Sequence, residues 1–225
     1  MFGHNPKRPP IFGDGTHLEI KNIFKTLQGE GIFVGMPAIF IRLGGCNLAC
    51  SFCDTDFEDY TLLHIKDIIE KTWNLSLNSQ NKKSVKLVVI TGGEPYRQPI
   101  ELLCQKLIDL DYKVQIETNG TLYRPLPAEV SIICSPKPGK NGYSILREDL
   151  LLHISAIKFL VAKNLPNYSN ITEIGQSKYN IPVFIQAIDQ CDQHLNKENT
   201  CLAIKLCLEH GHRLSIQTHK ILAIE

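Results

Sequence analysis

The chain has 225 residues, 43% of them hydrophobic and 21% charged, and a net charge of +1. That length suits one large domain with a sizeable core, and the composition is that of a folded globular protein, not a disordered one. With only Asn81-Lys82-Lys83 as a basic cluster, the charge balance points away from direct nucleic-acid binding and towards a small-molecule partner.

No apolar stretch approaches the roughly 18–20 residues that span a bilayer, and MFGHNPKRPP at residues 1–10 lacks the apolar centre of a signal peptide. A cytoplasmic protein with no membrane partner is expected. In that compartment the eight cysteines read as free thiols or metal ligands, not disulfides. Residues 1–15 read as a loose leader, and the absence of an internal boundary predicts a single domain over 1–225.

In chain order, PAIFIRL (37–43) reads as a strand of mixed burial. HIKDIIEKTW (64–73) reads as a helix with Ile65, Ile68, Ile69 and Trp73 on one face. NLSLNSQNKK (74–83) reads as an exposed connection. VKLVVIT (85–91) is a nearly continuous apolar run, as expected of a strand covered on both faces. PIELLCQKLIDL (99–110) reads as a helix opened by Pro99, with Leu103, Leu107 and Leu110 on one stripe. YKVQIET (112–118), VSIICSP (130–136), ISAIKFLVA (154–162), IPVFIQAI (181–188) and RLSIQTH (213–219) read as further strands. KENTCLAIKLCLEHG (197–211) reads as a helix ending at Gly211. Strand and helix in alternation predict a mostly parallel α/β sheet. The connection NGTLYRPLPAE (119–129) is too short for a helix, so the expected architecture is a trimmed, incomplete (β/α) barrel.

The densest chemistry is GGCNLACSFCDT (44–55), with Cys46, Cys50 and Cys53 inside eight positions. The stretch is polar and glycine-flanked, so these are not three buried core cysteines. A structural zinc site wants four ligands, and His64 and Cys104, the nearest candidates, form no second pair. Three thiolates suit a 4Fe–4S cubane with one iron left open for a substrate or cofactor. TGGEP (91–95) follows an apolar strand; its glycines let backbone approach a ligand closely, although a plain strand-ending turn reads the same way. Arg42, at the end of 37–43, suits a bidentate carboxylate clamp or an internal ion pair.

Cys-x3-Cys-x2-Cys with Phe52 before the last cysteine resembles the cluster loop of the radical S-adenosylmethionine (radical SAM) superfamily, and TGGEP matches its glycine-rich motif in place and order. IFKTLQGEGIFVGMPAIFIRLGGCNLACSFCDT (23–55), IETNGT (116–121), SPK (135–137), QAID (186–189) and RLSIQTHKILAIE (213–225) resemble the 7-carboxy-7-deazaguanine synthase family within it. The resemblance covers nearly all of the chain after about residue 18.

That resemblance implies a radical SAM barrel, a 4Fe–4S cluster on Cys46, Cys50 and Cys53, SAM, and Mg²⁺ held by Thr55. From its residue type alone, Thr55 is equally a cap or turn residue. The implied reaction is contraction of 6-carboxy-5,6,7,8-tetrahydropterin to 7-carboxy-7-deazaguanine with loss of ammonia, in queuosine-type 7-deazapurine biosynthesis. A homodimer and an electron donor such as flavodoxin or ferredoxin are implied with it. Substrate falls to Leu27, Gln28, Gly29, Glu30, Arg42, Thr91, His219 and Glu225. SAM falls to Gly93, Ser135, Pro136, Lys137, Gln186, Ala187, Ile188 and Asp189, with Glu117 and Asn119 as weaker candidates. On their own chemistry, Gln28 can donate or accept to a pterin edge and Glu30 only accept. Lys137 is otherwise an ordinary solvated lysine, and His219 a structural histidine.

Cys104, Cys134, Cys191, Cys201 and Cys207 read as plain thiols, and His210 and His212 as capping or surface residues. Another radical SAM enzyme, such as a glycyl-radical activating enzyme, would share the cysteine loop and TGGEP without requiring LQGEG or THK. A zinc-stabilised binding module would be colourless and would not cleave SAM.

Overall fold

The computed structural model describes residues 5–224. Nine strands form one open sheet in the order β3-β1-β2-β4-β5-β6-β7-β8-β9. They are β1 (His17–Leu27), β2 (Pro37–Leu43), β3 (Thr61–His64), β4 (Leu87–Gly92), β5 (Lys113–Thr118), β6 (Ser131–Cys134), β7 (Ile154–Val161), β8 (Val183–Ala187) and β9 (Arg213–Ser215). From β2 to β9 every pairing is parallel, whereas β1 runs antiparallel to β2 and β3. This mostly parallel, unclosed sheet is the trimmed barrel expected.

Period-two alternation divides the sheet into two faces. Ile39, Ile41, Val88, Ile90, Val114 and Ile116 face outward into the main core, all fully buried. Each such side chain contributes about 1.5–3 kcal/mol when removed from water. Against that face pack α1 (Ile65–Ser76), α2 (Glu101–Asp109) and α4 (Gln193–His210), with the short α3 (Glu148–Leu151) between β6 and β7. The inner face starts apolar: Phe33 and Met36 pack on Ala38, Leu87 and Val89, and Ile32 on Ile133, Ala156 and Phe184. The loop after β1 therefore plugs one end of the barrel.

Several local expectations are corrected. Strand β1 was not legible because a register shift between Ile20 and Asn22 breaks its alternation, so Leu18, Ile20 and Ile23 are buried at spacings of two and then three. Trp73 stands at the rim, half-exposed; Thr72 takes its place on the buried face of α1 and donates its hydroxyl to the Ile68 carbonyl (2.7 Å). Helix α2 starts after Pro99 with Ile100 as N-cap, and Leu110 lies just past its end. Helix α4 begins earlier than expected because Asp192 caps it, accepting from Leu195 N (2.9 Å); Gly211 ends it at φ +68°, as expected. The expected strand over 213–219 stops at Ser215. Thr218 N donates to Gly29 O (3.2 Å), and the chain turns into a short helix, α5 (Thr218–Leu222).

Residues 5–11 are not a loose leader. They run along the cysteine loop, with Arg8 N donating to Cys46 O (2.7 Å) and Ile11 N to Arg97 O (2.6 Å). Asn5 Nδ2 donates to Thr55 O (2.7 Å), and its Oδ1 accepts from Phe57 N (2.9 Å). Among the described residues no helix is long and apolar enough to cross a membrane.

Candidate active site

Where the inner face reaches the carboxyl ends of the parallel strands it turns polar. Arg42 on β2, Thr91 on β4, Glu117 on β5, Ser135 after β6, Lys158 on β7 and Gln186 on β8 line one cavity of about 290 Å³. In open α/β sheets this end of the strands is where ligands bind. The sequence writes the change into the strands: alternation holds, but a late inward position is polar, the last one on β2, β4, β5 and β8 and the one before Leu160 on β7.

The cysteine loop leaves β2 through Gly44 and Gly45. A Cβ on Gly44 would lie 2.4 Å from the Tyr60 ring, and one on Gly45 would lie 2.7 Å from Arg97 Nη2. Arg97, ion-paired with Glu19, donates to Gly44 O (2.9 Å), and Gln98 Nε2 donates to the same oxygen (3.2 Å). On the other side Glu94 N donates to Gly45 O (3.2 Å). The Glu94 carboxylate is fully buried and accepts from Tyr96 N (3.0 Å), Thr118 Oγ1 (2.6 Å) and Asn119 N (2.7 Å), which pins the TGGEP turn to β5. Burial pushes its pKa up against those three donors.

Cys46, Cys50 and Cys53 all line the cavity. Burial raises all three thiol pKa values, Cys46 to about 11, so without metal they are protonated. Among the described residues no three His, Cys, Asp or Glu side chains converge closely enough to hold a single metal ion. Thiols that border a common space without meeting at one point suit a cubane, which takes each thiolate on a different iron. The donor set thus fits a 4Fe–4S cluster. The remaining cysteines are elsewhere: Cys104, Cys134 and Cys207 are in the core, and Cys191 and Cys201 are exposed.

At the cavity's centre Lys158 is ion-paired with Glu30 and, at 2.7 Å, with Glu117. Gln186 and Gln217 donate to the other Glu30 oxygen (3.1 and 2.9 Å), while Gln28 and Gln115 donate to Glu117 (3.3 and 3.1 Å). Burial alone would raise the Glu30 pKa, but the Lys158 ammonium outweighs it and holds the carboxyl well below the usual range. Burial likewise pushes the Lys158 pKa down, and the Glu117 and Glu30 carboxylates outweigh it and keep the ammonium charged. The sequence reading missed Lys158. Its signal was a lone lysine inside ISAIKFLV, a strand covered on both faces, where a charge persists only beside partners.

Leu27, Gln28, Gly29, Glu30, Arg42, Thr91 and His219 all line the cavity, as do Thr55, Gly93, Ser135, Lys137, Gln186, Ala187, Ile188 and Asp189, and also Glu117 and Asn119. Arg42 stacks over the Phe24 ring at 5.3 Å. Lys137 donates to Ser135 O and Oγ (2.6 and 2.9 Å) and is not a solvated lysine. Pro136, between Ser135 and Lys137, is buried and is not among the residues that line the cavity. Glu225 lies outside the described residues.

A profile of the radical SAM superfamily matches residues 40–133, the span from β2 to β6 that carries the cysteine loop and TGGEP. The 7-carboxy-7-deazaguanine synthase of Rickettsia prowazekii (strain Madrid E) is 68% identical over 225 residues, covering 100% of this chain and 96% of its own. The chain belongs to the 7-carboxy-7-deazaguanine synthase family. A second 7-carboxy-7-deazaguanine synthase, from Rhodospirillum rubrum, is 38% identical over 247 residues with 100% of both chains covered. The crystal structure of QueE from Escherichia coli superposes with a TM-score of 0.70 at 26% identity, over 89% of this chain and 94% of that one. Membership of the 7-carboxy-7-deazaguanine synthase family over the full length sets aside the glycyl-radical activating enzyme and the zinc-stabilised module.

Proposed function

We propose that this radical SAM enzyme contracts 6-carboxy-5,6,7,8-tetrahydropterin to 7-carboxy-7-deazaguanine, with release of ammonia, in the cavity at the strand ends. The observation that carries the reading is that one cavity collects the three thiols, the glycine turn and the Gln28–Glu30 loop, segments far apart in sequence. Cys46, Cys50 and Cys53 would hold the cluster. Bound cluster and SAM supply one electron and a carbon-centred radical able to take a hydrogen atom from substrate.

The chain's own residues bind, orient and exclude water. Gly93, Ser135, Lys137 and Gln186–Asp189 form the SAM side. On the pterin side Arg42 offers a bidentate clamp for the substrate carboxylate. Thr91 and Gln28 offer hydrogen bonds, and Glu30 and Glu117, both paired with Lys158, offer acceptors. Gly29 permits the close approach of His219: a Cβ there would stand 2.2 Å from His219 Nδ1. Thr55 lines the cavity beside Cys53 and is the Mg²⁺ ligand in this reading, a hard oxygen suited to an ion that keeps its other ligands from water and substrate.

Residues 1–225 act as one domain, supported by a single main core that runs from Leu18 on β1 to Cys207 on α4. Flavodoxin or ferredoxin is the proposed reductant and the cytoplasm the proposed location. Exposed Leu214, Ile216, Ile221 and Leu222, clustered in sequence around β9 and α5, support a homodimer.

The test is anaerobic incubation of the reconstituted, reduced protein with SAM and 6-carboxytetrahydropterin, followed by mass analysis. The expected product is 7-carboxy-7-deazaguanine. 5′-Deoxyadenosine formed without any deazaguanine would leave a radical SAM enzyme with a different substrate.

A further inference from the structure

The segment that carries His219 is tied to the cysteine loop by a side chain that does not itself line the cavity. Lys220 Nζ donates to Asp54 Oδ2 (2.9 Å) and to Asp189 Oδ2 (2.8 Å). Asp54 directly follows Cys53, and its other oxygen accepts from the Thr55 hydroxyl (3.3 Å). Asp189 lies two residues past the β8 end and is itself fixed: its Oδ1 accepts from Cys191 N (2.9 Å) just before α4 and from Asn196 Nδ2 (2.7 Å) in the first turn of α4. One ammonium thus joins the cysteine loop, the β8–α4 corner and α5.

We propose that Lys220 is a positioning residue, a latch that fixes His219 and the Asp54–Thr55 edge of the cysteine loop in register across the cavity mouth. The proposal rests on the assignment of His219 and Thr55 to the substrate side of the site. Helix α5 spans only Thr218–Leu222, too short to be stable alone, so its placement depends on side contacts. Those on the Gly29–Glu30 side are supplied by Thr218, which donates to Gly29 O through N and Oγ1 (3.2 and 3.1 Å), and by Gln217, which donates to Glu30 (2.9 Å). Towards the cysteine loop, α5 is tied through Lys220. Without that tie α5 pivots on Thr218, and His219 loses its fixed distance from Thr55.

The anchor is asymmetric in a useful way. Asp189 is the more enclosed carboxylate and is locked to α4, whereas Asp54 is about half-exposed on the loop. Lys220 therefore transfers the position of a rigid corner to a loop that leaves the sheet at Gly44. Lysine chemistry fits this role, because an ammonium has three donors, enough for both carboxylates at once.

The test compares Lys220→Met and Lys220→Arg in the full-length reconstituted protein, first by hydrogen exchange and then by kinetics. In Lys220→Met, amides of 217–224 are expected to exchange several-fold faster, with iron content unchanged. The KM for 6-carboxytetrahydropterin is expected to rise roughly tenfold, equivalent to about 1.4 kcal/mol, the scale of two part-exposed ion pairs. The kcat is expected to fall less than the KM rises, and 5′-deoxyadenosine released per product to increase. Lys220→Arg is expected to restore both readouts to within about twofold of the parent, since a guanidinium also bridges two carboxylates. Unchanged exchange in Lys220→Met would overturn the proposal, as would equal loss in both variants or a loss of iron in Lys220→Met. If the unaltered protein makes no deazaguanine, the substrate assignment fails, while the exchange comparison still judges the latch.

Discussion

Gly93 lies directly against Gly45: a Cβ on Gly93 would fall 1.7 Å from the Gly45 carbonyl oxygen, the same oxygen that accepts from Glu94 N at 3.2 Å. The glycine turn after β4 and the cysteine loop after β2 are thus one packed unit. Gly93→Ala must push the two loops apart. Overpacking of this kind costs about 1–3 kcal/mol, which for a chain of this size lowers Tm by about 2–4 °C per kcal/mol. Iron bound after reconstitution should drop more sharply than Tm, because the displaced backbone is that of Cys46. Full iron content with a lowered Tm would separate the two loops.

Lys158 is predicted to be the most costly single residue to neutralise. Lys158→Met leaves Glu30 and Glu117 enclosed without a counter-charge, and breaking such a buried pair costs about 3–5 kcal/mol. The pH dependence follows from the sign. The folded pKa of Glu30 is depressed below the ordinary 4.5, so its stabilisation is complete above that pH and is lost as pH falls through the depressed value. In Lys158→Met the depression disappears and burial raises the pKa instead. The Tm gap between parent and variant should be widest near neutrality, begin to narrow above about pH 4.5 as the variant's raised Glu30 carboxyl takes up its proton, and keep narrowing as the pH falls towards the parent's depressed value. A gap constant from pH 7 to pH 3 would show that Lys158 acts by packing alone.

Asn5 clamps both ends of the turn that follows Cys53, through Thr55 O and Phe57 N. Asn5→Ala leaves those backbone groups to water or unpaired, a loss of about 1–3 kcal/mol confined to the loop. Global Tm should shift by only a few degrees, while absorbance near 400 nm bleaches faster in air. Parent-like bleaching would reduce residues 5–11 to a surface attachment.

The eight cysteines should divide cleanly. Cys46→Ala, Cys50→Ala and Cys53→Ala are each expected to abolish stable cluster assembly. Cys191→Ser and Cys201→Ser, at exposed positions, should retain full iron and sulfide. Cys104→Ser should retain iron yet unfold earlier, because it places a hydroxyl in the α2 face of the core. Iron and sulfide analysis with thermal melts reads all six. Loss of cluster from Cys191→Ser would contradict the three-thiol site.

Legibility followed a physical divide. The parallel strands were readable because burial on both faces makes VKLVVIT and IPVFIQAI continuous apolar runs, and a barrel without all its helices followed from the short 119–129 connection. The cysteine loop and TGGEP were readable because their spacing is local. What escaped was carried by long-range partners or by backbone. Lys158 needs Glu30 and Glu117, distant in sequence. Residues 5–11 bind through main-chain groups, one asparagine and the Arg8–Glu58 ion pair, whose partners lie far along the chain. The strand expected over 213–219 ended early because Gly29 O competes for Thr218 N. Trp73 and Thr72 exchanged places because an apolar residue at helical spacing can sit at the rim, while a threonine that bonds its own helix can be buried.

The proposed function rests on Cys46, Cys50 and Cys53 holding a cubane with one iron open to SAM. Electron paramagnetic resonance of the anaerobically reconstituted, dithionite-reduced protein, recorded with and without SAM, tests this most directly. The expected result is a reduced 4Fe–4S signal whose g-values shift when SAM is added, and no such signal in Cys50→Ala. A reduced cluster whose spectrum is indifferent to SAM, or an iron-free protein after reconstitution, would contradict it.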